Sequence, residues 1–238
     1  MGRPGASALL QPAQVLAGGD REERPGHHRQ EPAHRHIARY PSTPVLVLAS
    51  ASPRRRELLG RLGIAFQVHP SHIPEEHPPV APAEAIAAVA LAKALAVAAE
   101  LAPVGHPAVI LGADTEVVLE GCLLGKPRDP ADAARMLQAL RGREHLVITG
   151  LAVVEVGTDG VPGHRETTSV TSRVRMAEYT AAEIAAYVAT GEPLDKAGGY
   201  AVQGLGGRLV ASVDGCLTNV VGLPLTTTRA LLERRGLL

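Results

Sequence analysis

The 238-residue sequence has no tryptophan, a single phenylalanine and only two cysteines. With aromatics at 2% of the chain, the base-stacking platforms used by single-strand binders are excluded. Cys122 and Cys216 show no CxxC spacing, which argues against a structural zinc site and a disulfide framework and fits a reducing, cytosolic setting. Basic and acidic side chains balance at 24 each, so no bulk charge drives the chain onto a nucleic-acid polymer or a membrane surface. A local basic pocket stays open. No apolar run reaches the length of a membrane span, because Lys93 interrupts the most hydrophobic helix. The Walker A pattern, GxxxxGK followed by Ser or Thr, is also missing, which disfavours a P-loop kinase or ATPase. What these absences leave is a soluble protein of one or two domains whose partner is a small molecule.

Residues 1–42 are rich in Gly, Pro, Arg and His, and hold four of the ten histidines, at His27, His28, His34 and His36. They read as a disordered N-terminal tail, and the histidines lack ligand spacing, so any metal they take is adventitious. The patch Ala8–Leu10 is too short for a secretory signal. The working part of the chain is 43–238.

That part is organised around VLVLASASPRRRELLGRL, residues 45–62. Val45–Leu48 is the apolar run of a buried strand, and Ser52-Pro53 starts a helix that carries Leu58, Leu59 and Leu62 and ends at Gly63. Arg54, Arg55 and Arg56 therefore crowd a helix N-terminus, where free N–H groups and the dipole already favour negative charge. With the Ser50 and Ser52 hydroxyls beside them, this is a site for an anion such as a polyphosphate. After a short strand at Ala65–Val68 and a polar loop with Glu75 and Glu76, Pro82 opens an alanine-rich helix to about Leu101. Lys93 shares the stripe of Ile86, Val89 and Val97, so it either snorkels to solvent or reaches along a cleft toward a phosphate.

Val109–Ala113 reads as the next strand, ending in Asp114-Thr115, at the carboxyl end where open α/β sheets place their chemistry. Val117–Leu119 and Cys122–Leu124 read as a hairpin about Glu120-Gly121, followed by Lys126. Asp129 caps a helix from Pro130, and Thr180 with Glu183 forms a capping box. Leu146–Val156 reads as a long strand or strand pair with an irregularity at Gly150, and Thr167–Met176 as a polar edge strand. The glycine-dense stretch 191–207 carries Glu192, Asp195, Lys196 and Gln203 and lets backbone approach a ligand, with a short strand expected at Tyr200–Val202. A last helix runs from Pro224 to about Leu232.

The polar residues collect into Ser50, Ser52, Arg54, Arg55, Lys93, Lys126 and Lys196 as donors and cations, and Glu75, Glu76, Asp114 and Asp195 as carboxylates. Cations for a triphosphate, with carboxylates to hold Mg²⁺ or Mn²⁺ and orient a water, point to phosphoryl chemistry.

These residues fall in LASASPRRRELL at 48–59, ALAKALAV at 90–97, GADTEVVLEGCLLGKP at 112–127, HLVITG at 145–150, GEPLDKAGGYAVQG at 191–204 and NVVGLPL at 219–225. In that order the motifs resemble the Maf-like nucleoside triphosphate pyrophosphatases, once called septum formation inhibitors. The resemblance implies a mixed, twisted α/β sheet with flanking helices in two lobes around a deep cleft. It implies a homodimer that hydrolyses a nucleoside triphosphate to the monophosphate and pyrophosphate, in keeping with the cytosolic setting and the Mg²⁺ or Mn²⁺ read from the residues. By position, Asp114 resembles the proton acceptor, and Ser50, Arg55, Lys93 and Lys126 resemble the phosphate-binding residues, to which Ser52 and Lys196 add donors for the substrate. Glu76 with Asp114 resembles the metal-holding pair. Arg54, Thr115 and Gln203 match positions tied to base choice and lean toward dTTP and UTP, whereas the branch acting on 7-methyl-GTP has tryptophan in place of Arg54. The sequence departs from the family pattern at 214–218, DGCLT, and at His72 and Pro74. The competing readings are a nucleotide-binding regulator of cell division with little catalysis and an inosine triphosphate pyrophosphatase, whose motifs differ from SASPRR and GADT.

Overall fold

The computed structural model describes residues 43–101 and 106–238, so the tail expected at 1–42 lies outside the described residues. Strand β1 (Val45–Leu48) is buried from Leu46 onward and runs parallel to both β2 (Phe66–Val68) and β3 (Ala108–Leu119). Between β1 and β2 lies α1 (Pro53–Gly60), whose first turn is capped as the sequence requires: Ser52 is extended at the N-cap and its hydroxyl accepts from Arg55 N at 3.4 Å. Gly63, at φ 72°, closes the turn after it.

The remaining strands are antiparallel. A two-residue turn, Glu120-Gly121 with both φ positive, folds β4 (Cys122–Leu123) back on β3. Helix α3 (Pro130–Leu140) follows, capped by Asp129. Next come β5 (Glu144–Val156), β6 (Pro162–Met176), α4 (Ala181–Val188) with its Thr180–Glu183 capping box, β7 (Val210–Asp214), α5 (Leu217–Val221) and α6 (Leu225–Glu233). The sheet order is β2-β1-β3-β5-β6-β7, with β4 alongside β3.

Twelve residues at about 3.3 Å each make β3 about 40 Å long, roughly twice an ordinary strand. It therefore serves two cores. Its first half packs with β1, α1 and α6 around Leu48, Leu59, Leu111 and Leu231, and its second half with α3 and α4 around Val117, Leu137, Tyr179 and Ile184. On the flank facing β1, Leu111 O accepts from Ala49 N and Val117 O from Leu124 N, so the stretch between them lacks a neighbouring strand on that side. A cleft opens into that gap between the two cores.

Helix α2 (Pro82–Leu101) lies across β3 and β5 with Ala85, Ile86, Val89, Ala90, Lys93, Ala94, Val97 and Ala98 buried. The pairs recur every four residues, the period of one helix face. Its close seat depends on two glycines. A Cβ on Gly112 would stand 2.1 Å from the Ala90 carbonyl oxygen, and one on Gly150 would stand 2.7 Å from Ala87 Cα.

Four expectations are corrected. Asp114 does not end a strand, because Thr115–Val118 keep pairing with β5 and carry β3 on without a break. Gly150 holds regular register with Asp114 and Ser169, and its missing side chain serves helix packing; the irregularity sits between Val154 and Val156. β6 is an outer strand only for its first part, since Arg173–Met176 pair with β7. Tyr200–Val202 is not a strand but the link between two 3-10 turns, Ala197–Gly199 and Leu205–Leu209. The positive φ of Gly198, Gly199 and Gly204 bends that segment out of extension.

Candidate active site

The cleft has a volume of about 390 Å³ and is walled by the β1–α1 turn, the middle of β3, Lys93 of α2, the loop after β2, the loop after α4 and the start of α5's exit turn. Ser50, Ser52, Arg54, Arg55, Lys93, Asp114, Thr115, Lys126, Lys196 and Gln203 all line it. Residues separated by up to 153 positions, from Ser50 to Gln203, are thus brought to one space.

Arg55 points inward from the first turn of α1 and braces the wall. Its Nε donates to Gly222 O at 3.0 Å, one terminal nitrogen to Ser50 Oγ at 3.2 Å and the other to Thr115 Oγ1 at 3.0 Å. A guanidinium has five N–H donors, so two stay available. Burial pulls this group below its ordinary value, against the raising pull of Asp114 and Glu75. Arg54 lines the cleft, whereas Arg56 is exposed and takes no part.

Alternation along β3 turns Asp114 and Glu116 to one face and Thr115 to the other. On the first face, the buried Lys93 donates to Asp114 Oδ1 and to Glu75 Oε1, both at 2.7 Å. The lysine does not snorkel; it reaches the cleft. Lys126 donates to Glu75 Oε2 at 2.9 Å. Burial pushes the Glu75 carboxyl up, but the hydrogen bonds from Lys93 and Lys126 outweigh it and hold the group at about 2. His77 Nε2 lies 2.9 Å from Asp114 Oδ2. Glu116 is 5% exposed, and its Oε2 is buried without a hydrogen-bond partner. Burial first, and then the neighbouring Asp114, raise its carboxyl to about 7.

Across the cleft, the loop after α4 is tied down by Glu192. Its carboxylate accepts from Tyr187 Oη at 2.9 Å, Gly206 N at 3.0 Å and Leu205 N at 3.1 Å. Those bonds outweigh the effect of burial and lower the carboxyl from its ordinary value. The loop so held carries Lys196, which pairs with Asp195 and donates to Glu192 O, and Gln203 at the rim. Deeper in, Tyr200 Oη lies 2.7 Å from His145 Nε2.

One site residue is corrected. Glu76 is exposed and does not line the cleft; its neighbour Glu75 holds the two lysines. Both residues are exposed in a loop without regular structure, and composition alone does not say which faces the cleft. His77 and Glu116 were not singled out by the sequence. For Glu116 the signal was available: with β3 read through to Leu119, an acid two residues beyond Asp114 falls on the same face.

The profile of the Maf-like protein family matches residues 45–235. A dTTP/UTP pyrophosphatase of Moorella thermoacetica is 56% identical over 196 residues, covering 80% of this chain and 95% of that protein. Proteins of the same description from an Anaeromyxobacter species and from Gloeobacter violaceus are 52% and 53% identical, covering 80% and 76% of this chain and 89% and 90% of theirs. A solved nucleoside-triphosphatase / dITP/XTP pyrophosphatase from Mycobacterium abscessus aligns loosely, with a TM-score of 0.40 at 14% identity over 80% of this chain and 94% of that one.

Proposed function

The chain belongs to the Maf-like protein family, and we propose that it is a nucleoside triphosphate pyrophosphatase acting on dTTP and UTP. The observation that carries this reading is the buried Asp114, fixed by Lys93 at 2.7 Å in a cleft lined by Arg54, Arg55, Lys126 and Lys196. A row of cations beside an oriented carboxylate suits in-line attack on a triphosphate. The choice of dTTP and UTP is supported by the relatives at about half identity that bear that description.

In this mechanism Asp114 accepts the proton of a water whose oxygen attacks the α-phosphorus. The new P–O bond forms as the α–β bridging bond breaks, and pyrophosphate leaves with the electron pair. The two oxygens of Asp114 offer about four acceptor sites, and Lys93 uses one of them, so capacity for the proton remains. Lys93 keeps the carboxylate oriented. Lys126, Arg54 and the two spare donors of Arg55 bind the phosphates, together with Ser50, Ser52 and Lys196. Thr115, Gln203 and Arg54 contribute to base choice.

A divalent cation, Mg²⁺ or Mn²⁺, would neutralise phosphate charge in this cleft. The residues fit one, because Glu116 presents a buried oxygen with no partner beside Asp114. Asp114 and Glu116 would hold it, in place of the Glu76 and Asp114 expected from the motifs. Residues 43–238 as the catalytic unit, a homodimer and a cytoplasmic location belong to the same proposal and rest on the family resemblance. No helix among the described residues is long and apolar enough to cross a membrane.

Turnover of dTTP in ¹⁸O-water tests the chemistry. The label is expected on the phosphate of dTMP; label in the pyrophosphate would put attack at the β-phosphorus and overturn the mechanism.

A further inference from the structure

Asp114, Glu116 and His77 bring two carboxylates and an imidazole together from β3 and from the loop after β2. One ligand atom from each lies within 4.8 Å of the others. Two carboxylates side by side in a buried place repel each other, and a buried acid ordinarily has a hydrogen-bond partner or a counter-charge. Glu116 is 5% exposed, its Oε2 has no hydrogen-bond partner, and no cation among the described residues forms an ion pair with it, although His77 and Lys126 lie near enough to attract it. The nearby lysines are committed elsewhere, Lys93 to Asp114 Oδ1 and Glu75 Oε1, and Lys126 to Glu75 Oε2. An unpartnered oxygen, a second oxygen and a ring nitrogen within 4.8 Å of one another are close enough to ligate one metal ion. His77 Nε2 and Asp114 Oδ2 are 2.9 Å apart, and adjacent ligands of an octahedral ion held at about 2.1 Å lie about 3 Å apart.

We propose that His77, Asp114 and Glu116 form a three-donor site for a divalent transition cation, Mn²⁺ or a later first-row ion, in preference to Mg²⁺. The preference follows from the imidazole. All-oxygen sites suit Mg²⁺, whereas a nitrogen donor moves a site along the first-row series toward softer ions. Three protein donors also leave positions open on the far side of the ion, as catalytic metal sites do. The inference rests on the proposed function only in taking this cation to be the one used in the reaction; the site itself stands on His77 and Glu116.

The experiment is Mn²⁺ binding to the chelator-stripped full chain without nucleotide, followed by electron paramagnetic resonance. Pulsed measurement of ¹⁴N modulation reports an imidazole on the ion. One tight Mn²⁺ site with ¹⁴N modulation is expected, and Mg²⁺ should compete for it only at higher concentration. Loss of an outer partner of a metal ligand typically weakens binding by about ten-fold or more, so His77→Ala should weaken Mn²⁺ at least that much and remove the modulation. Glu116→Gln should weaken both ions. His77→Gln, with unchanged circular dichroism and melting, guards against a folding defect. Modulation that survives in His77→Ala puts the ion elsewhere, for instance on tail histidines, and overturns the site, as does equal affinity for Mn²⁺ and Mg²⁺ or no binding at all. Mn²⁺ bound as expected with no pyrophosphate released would leave the site standing and defeat the proposed reaction. Turnover indifferent to His77→Ala and Glu116→Gln would leave the reaction standing and overturn the use of this cation in it.

Discussion

Lys93 Nζ and Asp114 Oδ1 are 2.7 Å apart, with side chains 6% and 4% exposed. Helix α2 delivers the cation and the middle of β3 delivers the anion, so the pair ties the helix to the wall of the cleft. Removing one member of a buried pair strands the other charge, at a cost of about 3 kcal/mol or more, whereas removing both is much cheaper. Lys93→Met is therefore expected to lower stability by about that amount in urea unfolding and to abolish turnover. Lys93→Met with Asp114→Asn should regain a good part of the stability and none of the activity. Equal stability of the single and double variants would show that the pair is not the tie described.

Gly112 carries the second tie. Its Cβ would meet the Ala90 carbonyl oxygen at 2.1 Å and Ala94 Cβ at 3.0 Å, and backbone does not yield as a flexible side chain does. Overpacking of this kind costs about 1–3 kcal/mol. Gly112→Ala should melt several degrees lower and lose activity, because the helix that must shift carries Lys93. Gly60→Ala is the control: nothing lies within 4 Å of that position, and alanine in a helix is favoured by about 0.5–1 kcal/mol. A Gly112→Ala protein melting with Gly60→Ala would refute the close seat of α2.

Glu192 accepts three hydrogen bonds, from Tyr187 Oη and the amides of Leu205 and Gly206, and so closes the loop that carries Lys196 and Gln203. A glutamine there must turn its own NH₂ toward a donor. Glu192→Gln is expected to raise the KM for dTTP several-fold with a smaller change in kcat, to narrow the ratio of dTTP to ITP turnover, and to speed amide exchange across 196–206. Tyr187→Phe should do the same more mildly. An unchanged base ratio would limit Glu192 to holding the fold.

His145 is 3% exposed, and burial lowers it to about 4. Unfolded, its pKa is near 6.5, so between pH 4 and 6.5 the unfolded chain takes up a proton that the folded chain refuses. Stability from the neutral ring is complete above about 6.5 and falls as the pH drops toward 4, by about 1.4 kcal/mol per pH unit. Against a His145→Gln reference, the unfolding free energy of the natural chain should therefore drop by about 3 kcal/mol between pH 7 and pH 4. Parallel curves would mean that the ring is protonated inside the fold.

Local chemistry made much of this molecule readable in advance. Ser52-Pro53, Asp129-Pro130 and Thr180 with Glu183 each fix a helix start through a cap that needs no distant partner. The apolar runs at Val45–Leu48 and Val109–Ala113 lie in neighbouring strands that pair in parallel as far as Leu48 and Leu111. Where meaning depends on a neighbour, the sequence is silent. Gly150 looks like a break until Ala87 is seen against it, and Tyr200–Val202 looks like a strand until the glycines on either side turn. The same holds in the cleft. Which of Glu75 and Glu76 faces Lys93 and Lys126 is decided by a loop with no repeating pattern, and His77 meets Asp114 only through that loop's path.

One measurement decides the reaction: the products formed when the full chain meets dTTP, UTP, CTP, ITP and 7-methyl-GTP separately, with Mg²⁺ or Mn²⁺. The expected result is pyrophosphate in equal amount to dTMP or UMP, fastest from dTTP and UTP and absent with Asp114→Asn. Nucleoside diphosphate with inorganic phosphate would contradict attack at the α-phosphorus. Nucleotides that bind but are never cleaved would contradict the enzyme itself and leave a nucleotide-binding protein in its place.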